Sequence, residues 1–179
     1  VQQAYPVCTR NVSQKIDQFL ILNGDTPLLT KDTLTTLVDY HQSEGATLTL
    51  LTTSVPEAGG YGRVIRSEAG DVCRVVEDRD ASSEEKNISE INVGTYVVEA
   101  GFLGKALGQL HPKNSQGEYY LTDIIEMAVQ QGLKVAAWST NDSLETTGIN
   151  TRMQLAVAEK EMQRRICQRL MLAGVTMLD

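Results

Sequence analysis

The run Phe19-Leu20-Ile21-Leu22, closed by Asn23-Gly24-Asp25-Thr26-Pro27, constrains this chain more than any other stretch. Four consecutive apolar residues leave no polar face, so they read as a strand covered on both sides and ending in a loop. Such a strand needs helices on the two faces of its sheet, and the first follows directly. Thr30 offers an N-cap, Leu34, Leu37, Val38 and His41 recur at helical spacing, and Gly45 supplies the stop. Ala46 to Thr53, rich in Leu and Thr, reads as the next strand.

The same pattern continues. Arg63 to Arg66 and Val72 to Glu77 flank a turn at 67–71 and predict a hairpin, and charged residues from Asp78 to Glu90 predict an exposed loop. Ile91 to Glu99 reads as strand, Phe102 to Leu110 and Tyr120 to Gln131 as short helices, and Val135 to Trp138 as strand. A long helical pattern runs from Asn150 to Ala173, with Glu161 and Arg165 paired at i,i+4. Strands alternating with helices predict a Rossmann-like α/β sandwich with a mainly parallel sheet and an inserted antiparallel hairpin. Ligands of such folds sit beyond the carboxyl ends of strands, where Asp25 falls. Neither an internal repeat nor a low-complexity tract interrupts the chain.

Composition narrows the function. The 179 residues are 41% apolar, enough for one core, and carry a formal charge of −7. That charge excludes a general nucleic-acid binder, whose affinity comes from clustered Lys and Arg. It leaves a nucleotide substrate open, since a divalent cation neutralises a triphosphate locally. Cys8, Cys73 and Cys167 form no motif and read as reduced thiols of a cytoplasmic protein. The apolar stretches are far shorter than the ~20 residues a membrane-spanning helix needs. The chain starts without Met and stops in an apolar segment, so both ends read as cut. His41 and His111 are isolated and read as structural or exposed, and nothing has the pattern of a Ser-His-Asp, Cys-His or zinc site.

The candidate chemistry lies in loops. In Asn23-Gly24-Asp25 a glycine lets a phosphate-bearing ligand approach the backbone while the carboxylate points at a metal. An ordinary strand-to-helix turn selects the same residues. Gly62 fits a hairpin entry, Glu77 a solvated strand end, and Asn150 the N-cap of the long helix. Asn92 is less bland, because asparagine is depleted in strands and needs partners when buried.

Gly24-Asp25-Thr26-Pro27 resembles the G-D-x-P motif of sugar nucleotidyltransferases. In the family's order there follow Gly60-Tyr61-Gly62-Arg63, Val75-Val76-Glu77, Ile91-Asn92-Val93-Gly94, Gly117 to Asp123, and Gly148-Ile149-Asn150-Thr151-Arg152. Each is weak alone, but six in order cover nearly the whole chain. The segments Gly117 to Asp123 and Gly148 to Asn150 point to the bacterial N-acetylglucosamine-1-phosphate uridyltransferases, whose fold is the nucleotide-diphospho-sugar transferase sandwich.

That resemblance implies specific roles. Asn23 and Gly24 would line the nucleotide-sugar site, Asp25 and Asn150 would be the protein ligands of Mg²⁺, Gly62 would present its backbone to the sugar, and Glu77 and Asn92 would hydrogen-bond it. The implied partners are UTP, N-acetylglucosamine 1-phosphate and the product UDP-N-acetylglucosamine, with no nucleic acid and no membrane. The phosphate nucleophile is already ionised, so no residue is assigned as a catalytic base. Relatives carry an upstream Gly-rich loop, a lysine and a uracil-reading segment that this sequence lacks. Residues 1–149 would then be an N-terminally incomplete nucleotidyltransferase domain. Residues 150–179 would be a long helix and linker towards a left-handed β-helix, which in relatives acetylates glucosamine 1-phosphate and, in the parent protein, makes a homotrimer. The fragment alone is expected to be inactive. Two alternatives stay open: a catalytically dead sugar-phosphate sensing or assembly module, and another sugar-1-phosphate nucleotidyltransferase.

Overall fold

A computed structural model describes residues 1–10, 15–112 and 114–177; the last two residues of the expected 150–179 segment lie outside it. The strands are β1 (Gln18–Ile21), β2 (Leu48–Ser54), β3 (Arg63–Arg66), β4 (Val72–Val76), β5 (Glu90–Glu99) and β6 (Val135–Ser139). The helices are α1 (Tyr5–Thr9), α2 (Lys31–Glu44), α3 (Ala100–Leu107), α4 (Asp123–Gln130) and α5 (Arg152–Leu172), with a 3₁₀ turn at Glu85–Asn87. The strands form one sheet in the order β4-β3-β5-β2-β6, and β1 pairs with the second half of β5.

The expected α/β sandwich and inserted hairpin are present, and the sheet itself is mixed. β1, β2, β3 and β6 share one direction, but β5 opposes them from the centre. Parallel pairing therefore occurs between β2 and β6, and the other ladders are antiparallel. The physical reason is β5 itself. It is ten residues long and buried along most of its length, so it reads like a parallel core strand whichever way it runs.

Helices cover both faces, so the core has two parts. Leu48, Leu50, Tyr96 and Val98 meet Phe102, Leu103, Ile124 and Ile125 of α3 and α4. On the opposite face Leu51, Val93 and Val97 meet Leu37 of α2. Residues one apart on a strand thus serve opposite layers, as the pleat requires. Thr30 caps α2 by accepting from Thr33 N, and Gly45 closes the helix at φ 56°. His41 is buried under α2 with Nδ1 2.8 Å from Thr49 Oγ1.

α5 stands apart from this packing, with Ala158 as its one buried residue. Arg165 Nη1 donates 2.7 Å to Leu28 O, and the expected ion pair of Arg165 with Glu161 forms at 2.8 Å. Thr151, not Asn150, is the N-cap, in a capping box with Gln154. Asn150 lies one residue outside the helix, and its side chain is therefore free of capping duty.

Candidate active site

The loops after β1, β2, β4 and β6 and the segment before α4, together with a bend in β5, enclose a cavity of about 350 Å³. Asn23, Asp25, Gly62, Glu77, Asn92 and Asn150 line it, drawn from positions 127 apart at the extremes. Gly24 does not. A β-carbon at Gly24 would meet nothing within 4 Å, so no close packing requires glycine there.

Asp25 and Asn150 face one another beside Gly148. The point where a β-carbon on Gly148 would sit is 3.5 Å from Asp25 Oδ2 and 3.7 Å from Asn150 Nδ2. Backbone holds them together, since Ile149 N donates 2.8 Å to Asp25 O. On the other side Gly148 N donates 3.3 Å to the hydroxyl of Tyr61. A carboxylate and an amide oxygen are hard donors of the kind Mg²⁺ takes, the remaining positions going to phosphate and water. Among the described residues no group of three His, Cys, Asp or Glu could make an all-protein cage. The donor set fits a cation shared with a phosphorylated ligand.

β5 supplies the opposite wall through a bulge. Leu50 pairs with Tyr96 but Thr52 with Asn92, so β5 carries extra residues between them, and Gly94 sits there at φ 82°. A β-carbon at Gly94 would lie 2.1 Å from Asn23 Nδ2, and Asn23 itself donates 3.3 Å to Val93 O. Asn92 is buried and satisfied: its Nδ2 donates 2.7 Å to Tyr96 Oη, and its Oδ1 accepts 3.2 Å from Gly94 N. Each end of the amide retains capacity for a ligand. Burial pushes the Tyr96 phenol above its ordinary value, so it stays neutral.

Glu77 lies just beyond β4. Its Oε1 accepts 2.9 Å from Thr122 Oγ1, and Oε2 would be 3.4 Å from a β-carbon on Gly62. Burial pushes its carboxyl above the usual glutamate value, opposed by the Thr122 bond and reinforced by Asp123 and Asp80. Half-buried and bonded to Thr122, Glu77 is not a freely solvated strand end. Tyr61, Thr122 and Tyr96 also line the cavity and were not singled out from sequence; tyrosine and threonine are ordinary core and turn residues. Tyr119, which the pattern suggests packs at the core edge, is 59% exposed and lines the cavity too. Arg79 points elsewhere, donating 2.5 Å to Gln116. Among the described residues the cavity lining carries neither lysine nor arginine.

A polar cavity beyond the carboxyl ends of strands lies where open α/β sheets bind their ligands. Residues 3–148 match the nucleotidyl transferase family, and the chain belongs to it. Within that family it is 51% identical, over 160 residues, to the bifunctional protein GlmU of Pelotomaculum thermopropionicum, covering 89% of this chain and 35% of that protein. It is 45% identical over all 179 residues to GlmU of Exiguobacterium sibiricum, covering 39% of its length. The chain therefore spans a little over a third of the length of these relatives. Two solved structures share the fold. One is a Bacillus anthracis protein named as a glucose-1-phosphate thymidylyltransferase, in complex with sucrose: TM-score 0.62, 19% identity, 88% of this chain and 58% of that one. The other is CMP:2-keto-3-deoxy-manno-octonic acid synthetase with CTP: TM-score 0.64, 15% identity, 92% and 68%. Among the described residues no helix is long and apolar enough to cross a membrane.

Proposed function

We propose that this chain is the sugar-binding and metal-binding part of a uridyltransferase domain that converts UTP and N-acetylglucosamine 1-phosphate to UDP-N-acetylglucosamine and pyrophosphate. The observation that carries it is the convergence of six motif residues on one cavity. In the reaction a phosphate oxygen of the sugar phosphate attacks the α-phosphorus of UTP, and pyrophosphate leaves. The nucleophile is ionised at neutral pH, so the site needs positioning and charge neutralisation more than a base.

The chain's residues divide that work. Glu77 and the free end of the Asn92 amide hold sugar hydroxyls or the N-acetyl group, and Gly62 leaves room for the sugar against Glu77. Asp25 and the side-chain oxygen of Asn150 would hold Mg²⁺. When bound, that ion supplies positive charge to the phosphates. Cationic side chains for the triphosphate come, in this reading, from residues beyond this chain in the longer protein, and α5 with residues 150–179 leads to its second domain.

The test is a pyrophosphate-release assay with UTP, N-acetylglucosamine 1-phosphate and Mg²⁺, run on the 179 residues and on the full-length protein. Turnover by the full-length protein, lost on Asp25→Ala, supports the assignment. Glucose 1-phosphate turned over as fast as the N-acetylated sugar would contradict it. Binding of the sugar phosphate without turnover in the full-length protein would favour a sensing module instead.

A further inference from the structure

Asp25 and Asn150 belong to different loops, after β1 and after β6, which the Ile149–Asp25 backbone bond joins at one point. Glu145, five residues before Asn150, is 4% exposed. Its Oε1 accepts from the backbone N–H of Thr30, five residues after Asp25, and its Oε2 accepts 2.8 Å from Thr33 Oγ1. Both partners lie at the N-terminus of α2, where the helix dipole compensates a buried carboxylate without a cation. The carboxylate therefore reaches from the loop after β6 to the loop after β1. With the Ile149–Asp25 backbone bond, it closes a ring that runs through Asp25 and ends at Ile149, the residue before Asn150.

We propose that Glu145 is a positioning residue that fixes the distance between Asp25 and Asn150 and thereby tunes divalent-cation affinity. The inference rests on the metal reading above but adds a residue that touches neither substrate nor metal. Glu145 does not line the cavity, whereas the sugar wall is built on β3, β4 and β5. Loss of the Glu145 bridge should consequently loosen the cation site and leave the sugar wall in place.

The test uses Mn²⁺ as a paramagnetic probe, titrated by electron paramagnetic resonance into the full chain with N-acetylglucosamine 1-phosphate present. Calorimetry without metal gives the sugar-phosphate affinity. Removing an outer partner of a metal site typically costs about 10- to 100-fold in affinity, so Glu145→Ala should weaken Mn²⁺ by at least about tenfold. Thr33→Val, which removes one arm of the bridge, should weaken it less, by about threefold. Glu145→Gln, which can still accept from Thr30, should recover most of the loss, and sugar-phosphate affinity should stay within about twofold throughout. Should Glu145→Ala unfold the chain, Thr33→Val decides. Unaltered Mn²⁺ affinity in Glu145→Ala, or in Thr33→Val where the alanine variant does not fold, beside loss in Asp25→Ala, overturns the role of Glu145 alone. Mn²⁺ binding that is absent from the parent chain or indifferent to Asp25→Ala overturns the metal reading, and this inference with it.

Discussion

Thr122 Oγ1 donates a 2.9 Å hydrogen bond to Glu77 Oε1, tying the end of the hairpin to the residue that opens α4. The bond favours the ionised carboxylate, while burial and the nearby Asp80 and Asp123 favour the protonated one, and burial is the larger effect. Glu77 consequently titrates above its ordinary 4.5 in the folded chain.

A raised carboxyl pKa fixes the sign of the pH dependence. Between 4.5 and the folded value, the folded state holds the proton more tightly than the unfolded state. Stability contributed by Glu77 therefore falls as pH rises through that window, and Glu77→Gln should flatten it. Thr122→Val should raise the Glu77 pKa further, because it removes the opposing bond. Carboxyl-detected NMR titration of both chains reads this directly; a Glu77 midpoint at or below 4.5 would show that burial does not dominate.

Under the proposed uridyl transfer, Asp25 and Asn92 should separate kinetically in the full-length protein. Asp25→Ala removes the one carboxylate of the candidate metal pair and should lower kcat by about a hundredfold or more, since charge-stabilising groups act mainly in the transition state. Asn92→Ala should act chiefly on the KM for N-acetylglucosamine 1-phosphate. Equal effects of both variants on KM, with kcat intact, would remove Asp25 from the chemistry.

Much of this architecture was legible in the sequence because it is local. The Thr30 cap, the Gly45 stop, the hairpin and the Glu161–Arg165 pair depend on spacing within one element. Strand direction was not legible, because β5 is buried on both faces and its pattern carries no sign of which way it runs. In the site, Asp25, Asn92 and Asn150 were visible as motif residues, and of these Asn92 alone is of a type unusual for its position. Tyr61, Thr122 and Glu145 were not, because their roles come from contacts 87, 45 and 115 residues away. The N-cap was misplaced by one residue, since Asn150 and Thr151 both suit it and only the reciprocal bonds of Gln154 choose Thr151.

Two glycines of the cavity should respond differently to the same substitution. Gly94→Ala meets both a left-handed backbone at φ 82° and a β-carbon 2.1 Å from Asn23 Nδ2. It should destabilise the fold by about 1–3 kcal/mol. Gly62→Ala meets a methyl of Val75 at 2.8 Å and the Glu77 carboxylate at 3.4 Å, but no left-handed backbone. It should cost less stability but weaken sugar-phosphate binding by crowding Glu77. Urea denaturation and calorimetry on both variants give the two orderings, and a Gly62→Ala chain that binds normally would count against the sugar wall.

Arg63 sets the last test, because it is a buried charge with a single anion among the described residues. Its side chain is 3% exposed, and Nη2 lies 2.9 Å from Asp78 Oδ1. Nη1 donates to Tyr61 O, and Nε finds no partner among the described residues. Removing the anion should therefore cost more than removing the cation. Asp78→Ala leaves a guanidinium uncompensated in the interior and should destabilise by about 3 kcal/mol, the lower end for broken buried pairs because Asp78 is partly exposed. Arg63→Met fills a similar volume with apolar atoms and frees Asp78 to water, so its cost should be smaller. Arg63→Met alone releases the Tyr61 carbonyl, so in that variant the Tyr61 hydroxyl should hold Gly148 less firmly and cation affinity should weaken, whereas Asp78→Ala keeps the Arg63–Tyr61 bond. Equal or reversed stabilities by urea denaturation would mean that the charge of Arg63 is compensated by something other than Asp78.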